Sequence, residues 1–203
     1  MTVTRTKPRS AHPVRHHTHT ATGRASAAGR TKPTTRRRAT GHSGVDSFSP
    51  SSSAAAAPRT AARTNRILDR LNVAQNPRYL PTGKRGTSSR VTHCNEFAQT
   101  ALRQMGVPTP GGNANHMNAY FNGQTQGWRK ATPAEAQRMA NSGHAAVASW
   151  SNPTGGHGHI AIVRPGVLSA GGPRIAQAGG TNFNDGSAAR DFGRHAPQYF
   201  VHD

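Results

Sequence analysis

An α+β domain, with helices packed on a small antiparallel sheet and a disordered basic tail ahead of it, is the fold class predicted by three features of this 203-residue sequence. Apolar residues recur at helical spacing from the single cysteine, Cys94, onward. Thr132-Pro133-Ala134-Glu135 carries the signature of a capped helix start. The last third of the chain holds short runs rich in Val, Ile, Phe and Tyr, separated by turn residues.

The tail comes first. Residues 1 to 66 contain thirteen Lys or Arg against Asp46 alone, about +12 of the formal net charge of +19. Phe48, Val3, Val14 and Val45 are too few and too irregular to build a core, so residues 1–63 are expected to be disordered and residues 64–203 to form the domain. No apolar stretch follows Met1–Ser10, and no run approaches a membrane span. Export by the general secretory route is therefore not expected. Arg36-Arg37-Arg38 and the cluster His12, His16, His17 and His19 are compatible with nucleic acid or metal, but a solvated tail is the simpler reading of that composition.

Order is expected from about Thr64, where Ile67, Leu68 and Leu71 form a short apolar stripe. A loop, Asn76 to Arg90, leads to the Cys94 helix, whose apolar positions are Phe97, Ala98, Ala101, Leu102 and Met105. Thr92 is its expected N-cap, and Gly106 with Pro108 its stop. A helix near Ala114–Phe121 follows, then the helix opened by Thr132 and closed near Gly143. The predicted strands are His144–Trp150, His159–Arg164, Pro173–Ala178 and Gln198–His202.

A lone thiol at a helix start is a candidate nucleophile, because outward-pointing N–H groups favour a thiolate and can hold an oxyanion. The bland alternative is a small buried core residue. A thiolate needs an imidazole, and Gly158-His159-Ile160-Ala161-Ile162-Val163 offers His159 at the entrance of an apolar strand. If that strand and the next form a hairpin whose facing positions sum to 336, His159 faces Gln177. The Gln177 amide oxygen would then accept the Nδ1–H of His159 and leave Nε2 for the thiol. Asn182 and Asp185 are reserves for that third role. His157 and His159 stand two apart with no third ligand at a diagnostic spacing, so no metal is expected, and the chemistry needs no cofactor.

At these residues the chain resembles the papain-like amidases and peptidases of the CHAP and NlpC/P60 type, which cut bacterial peptidoglycan. The resemblance spans roughly Asn76 to Asp203 and rests on Cys94-Asn95 opening a helix, Gly158 to Val163 opening a strand, and polar Gln177 on the following strand. Asn76-Pro77-Arg78-Tyr79, Gly127-Trp128-Arg129 and Ala176-Gln177-Ala178-Gly179 look similar to stretches of lysins of this type. It implies a papain-like fold, a Cys94, His159 and Gln177 site, and cell-wall hydrolysis. Tyr79 would line the cleft as a tyrosine does in some NlpC/P60 enzymes, and many CHAP enzymes carry Glu or Asp where Gln177 stands. Calcium-binding members have acidic residues ahead of the cysteine, whereas Tyr79 to His93 holds none.

Asn115, Asn182 and Trp128 are further candidates for contacting substrate, with an ordinary exposed polar residue as the alternative for Asn115 and a core ring as that for Trp128. The expected partners are peptidoglycan and, through the basic tail, anionic envelope polymers; nucleic acid is a weaker candidate, and a monomer is expected. A wall enzyme made in the cytoplasm would reach its substrate after lysis or by specialised secretion. The competing reading is a basic nucleic-acid or envelope binder whose papain-like domain is inactive.

Overall fold

A computed structural model describes residues 58–203, so the reading of the tail lies largely outside the described residues. Helix α1 spans Ala61–Leu71 and buries Thr64, Ile67, Leu68 and Leu71. Thr60 caps it by accepting the Arg63 N–H at 3.1 Å. Regular structure thus begins a few residues ahead of the expected boundary at Thr64, because the cap and first turn are polar and carry no hydrophobic period.

Helix α2, Cys94–Met105, buries Cys94, Phe97, Ala98, Ala101, Leu102 and Met105 on one stripe. It ends at Gly106, whose φ of 75° is a left-handed conformation that glycine adopts without steric cost. The expected Thr92 cap is not used. His93 is the N-cap residue and makes no side-chain capping bond, its ring nitrogen being paired with Glu96 instead. Helix α3, Ala114–Asn122, is capped by Asn113, and helix α4, Pro133–Asn141, by Thr132, whose Oγ1 accepts the Glu135 N–H at 3.1 Å. The Glu135 carboxylate turns outward to Arg129 at 2.7 Å, so only the Thr132 half of the expected capping box forms.

The strands are β1 Trp128–Ala131, β2 Ala146–Trp150, β3 His159–Val163, β4 Arg174–Gln177, β5 Phe183–Ser187 and β6 Gln198–His202. They form one sheet in the order β1-β6-β2-β3-β4-β5, with every neighbouring pair antiparallel. Helices therefore do not simply precede strands: β1 comes before α4, and a short helix α5, Ala188–Phe192, stands between β5 and β6. Both unpredicted strands are edges, β1 only four residues long and β5 the polar Phe-Asn-Asp-Gly-Ser.

The sheet is covered on both faces. Ile160 and Ile162 of β3, with Val147, Ala176 and Phe200, pack into a core shared with α1, α2 and α3. Ala161 and Val163, with Ala148, Ile175 and Val201, pack into a second core with α4 and α5. Alternate residues of one strand thus serve opposite layers, which is why these central strands read as continuous apolar runs.

The β3–β4 hairpin has a different register from the expected one. Ile162 faces Ala176 and Val163 faces Ile175, so facing positions sum to 338. Arg164 N–H to Arg174 O at 2.9 Å continues the same register at the turn end. The two-residue shift preserves the parity of faces and brings Gly179, rather than Gln177, level with His159. A Cβ at Gly179 would stand 2.6 Å from Gln177 Oε1 and 3.3 Å from His159 Cε1, so any larger residue there would displace the end of the Gln177 side chain.

Candidate active site

Cys94, the first residue of α2, is buried in the core against β3 and opens onto a small cleft of about 50 Å³ walled by Thr92, Asn95, Asn113, Ala114, His157 and Gly158. Helices α1, α3, α4 and α5 each have a side-chain N-cap, whereas α2 has none. The N–H groups of its first turn are left for another acceptor, and this is the terminus that carries the thiol.

His159 begins β3 and lies at the end of the sheet between the layer holding α2 and the layer holding α5. Its ring sits edge-on to Phe192 of α5, with centroids 5.2 Å apart. Its Nε2 lies 2.8 Å from Asp191 Oδ2, and the Asp191 side chain is only 7% exposed. Burial pushes the imidazolium down. The Asp191 carboxylate and Cys94 more than offset this, and His159 is pushed up from 6.5 to about 10. The ring is therefore charged across the neutral range.

This reverses the expected roles of the ring nitrogens. Nε2 is committed to Asp191, which leaves Nδ1 as the nitrogen available to Cys94. Gln177 does not orient the ring: its Nε2 donates to the Thr181 carbonyl, and its buried Oε1 has no hydrogen-bond partner. The cause is the register, because Gln177 lies two residues short of the position opposite His159.

Asp191 was not anticipated. The available signal is scarcity: the chain has only seven Asp and Glu, and most of those in the described residues are engaged with basic side chains at the surface. Asp185, a reserve for the third role, pairs with Arg174. Asn182 is structural, donating to Val73 O at 2.9 Å and Tyr79 O at 2.7 Å while accepting the Gly179 N–H at 3.0 Å.

No family model matches this chain. A stretch of 77 residues is 39% identical to the peptidoglycan amidase Tse1 of Pseudomonas aeruginosa, covering 37% of this chain and 47% of that relative. The chain is similar to a peptidoglycan amidase. It spans about half the length of that curated relative.

The remaining sequence candidates are placed as follows. Tyr79 is 1% exposed and packs edge-on against Phe97, in the core rather than on the cleft. Trp128 is likewise 1% exposed, its Nε1–H donating to Pro108 O at 2.9 Å and its ring packed on Phe121. Neither is available to a glycopeptide. Asn115 fastens the loop that follows β2: it donates to Gly156 O at 2.8 Å and accepts the Asn152 N–H at 3.0 Å. That loop runs on into His157 and Gly158, which form one wall of the Cys94 cleft.

Proposed function

We propose that this protein is a peptidoglycan hydrolase of papain-like architecture that cleaves an amide bond with Cys94 as nucleophile, His159 as acid and base, and Asp191 holding the imidazole. The observation that carries the reading is the His159 ring held at 2.8 Å by the buried Asp191 carboxylate, with the helix-terminal Cys94 near enough to add to the upward push on its pKa. The similarity of part of the chain to a peptidoglycan amidase supports the choice of substrate.

In this mechanism the Cys94 thiolate, paired with the His159 imidazolium, attacks the amide carbonyl carbon. The carbonyl oxygen becomes an oxyanion in front of the uncapped first turn of α2, where backbone N–H groups can donate to it. His159 Nδ1–H then protonates the leaving nitrogen, the C–N bond breaks, and a thioester on Cys94 remains. A water molecule gives its proton to Nδ1, attacks the thioester, and the thiolate leaves. Asp191 keeps Nε2–H engaged throughout, so the ring presents the same nitrogen to thiol, leaving group and water.

The test is digestion of purified sacculi with mass spectrometry of the released muropeptides, using the wild type and Cys94→Ala. The expected result is a single class of cleaved amide for the wild type and none for the variant. Equal cleavage by Cys94→Ala would remove the thiol from the mechanism, and intact sacculi with the wild type would remove the substrate.

A further inference from the structure

A second cavity, of about 370 Å³, includes Asp191 in its wall and has no lining residue in common with the Cys94 cleft. Its walls are Arg85, Gln177, Gly180, Thr181, Phe183, Arg190 and Asp191, so it shares the catalytic carboxylate but not the thiol. Its volume falls within the range of small-ligand sites, about 300–1,000 Å³.

Its chemistry is specific. The Arg190 guanidinium stacks on the Phe183 ring, 4.7 Å from the centroid, an arrangement that fixes the plane and leaves the in-plane N–H donors free. Arg85 sits on the loop between Thr82 and Val91, which are bridged to each other. Arg90 ties that loop to the opposite wall by donating to Gly83 O at 3.0 Å and Gly180 O at 2.8 Å. Neither Arg85 nor Arg190 has an ion-pair partner among the described residues, and the only acid in the wall, Asp191, is engaged by His159. The remaining wall group is Gln177, 2% exposed. Its amide nitrogen donates to Thr181 O, and its Oε1 is buried against Gly179 without a hydrogen-bond partner, so the side chain contributes shape to the wall and no donor or acceptor to a ligand. Two forks of donors match a carboxylate.

We infer that this cavity is a specificity subsite that binds the free carboxylate of a stem-peptide residue flanking the scissile amide, with Arg190 and Arg85 as its ligands. The inference rests on the hydrolase reading above for the identity of the peptide. A γ-linked glutamyl residue or a diaminopimelyl residue has this chemistry, an amide linkage with a free carboxylate beside it. Gln177, expected from sequence to serve the histidine, becomes part of this wall.

The test is calorimetric titration of the full chain, carrying Cys94→Ala to prevent turnover, at about 0.15 M salt so that long-range attraction to the basic chain is screened. The probes are the tetrapeptide L-Ala-γ-D-Glu-meso-diaminopimelyl-D-Ala and its two forms amidated singly on the glutamate α-carboxyl or the diaminopimelate side-chain carboxyl. One amidated form is expected to bind about tenfold or more weakly, the loss of a charge-assisted pair. Adding Arg190→Gln or Arg85→Gln should weaken the acidic peptide and leave that amidated form unchanged, so that the discrimination disappears. Thermal melting checks the fold, and Arg85→Gln, on an exposed loop, keeps the test decisive if Arg190→Gln does not fold. Equal affinity for all three peptides, no measurable binding, or discrimination that survives in both arginine variants would overturn the subsite. Discrimination in a protein whose wild type cuts no muropeptide would instead sink the hydrolase reading and leave the subsite standing.

Discussion

Replacing Asp191 by Asn removes one charge next to His159 while preserving the size of the side chain. The imidazolium is held at about 10 rather than 6.5 against the cost of burial, a preference on the order of 5 kcal/mol at about 1.4 kcal/mol per pH unit. Asp191 and Cys94 share that effect, and a hydrogen bond to a charged group contributes about 1.5–3 kcal/mol. With Asp191→Asn, the alkaline limb of kcat/KM should therefore move down by about one to two pH units. The rate at neutral pH should fall on the order of a hundredfold or more, because the ring loses both its charge partner and its fixed tautomer. The stability effect has a defined sign. A histidine raised on folding contributes fully below its unfolded value of 6.5 and loses that contribution as pH rises through about 10. The variant should thus melt at a lower temperature than wild type at pH 6, with a smaller difference above pH 10. The assays are muropeptide hydrolysis against pH and thermal melting at both ends of the range. An unchanged alkaline limb with an unchanged rate would refute the assignment of Asp191.

Asn115→Ala should raise KM with little loss of kcat, since it frees the loop leading to His157 and Gly158 rather than a reacting group; a fall in kcat at constant KM would contradict this. Trp128→Ala should cost about 3–5 kcal/mol in denaturant unfolding because it empties a core site, and a change below about 1 kcal/mol would place the ring elsewhere. Thr132→Ala should cost about 1 kcal/mol by removing the α4 cap, again read by denaturant unfolding. Removing residues 1–57 should leave the melting temperature close to that of the full chain, whereas removing residues 1–63 should lower it, because the second cut takes the Thr60 cap and the Arg59 bond to Asp203 O. The shorter chains should also bind intact walls with weaker salt dependence, since about half of the net charge lies in the removed segment.

The parts of the fold that were legible in the sequence are those written in local periodicity. The stripe from Cys94 to Met105 and the apolar run after His159 each define their own element, and the Thr132 signature marks the start of α4. The pairing of β3 with β4 was also legible in parity, since either register leaves the same residues on the same face. The absolute register was not, because it depends on how the loop between Arg164 and Arg174 closes, and that loop has no dominant turn signal. Asp191 escaped for a related reason. It lies on a five-residue helix too short to show a period, 32 residues from His159, and the two meet only because α5 packs against β4 and β5 and brings Asp191 and Phe192 up to the His159 ring. Trp128 and Tyr79 show the limit from the other side, since an aromatic ring has the same one-letter signature in a groove as in a core, and the neighbours that decide between them are distant in sequence.

The most direct measurement of the central claim is intact-protein and peptide mass spectrometry of the enzyme quenched in acid during turnover of purified muropeptides. The account predicts an acyl adduct on the tryptic peptide that contains Cys94, its mass matching one product of amide cleavage, and accumulating in the wild type but not in Cys94→Ala. Turnover without any adduct on Cys94, together with hydrolysis retained by Cys94→Ala, would contradict it.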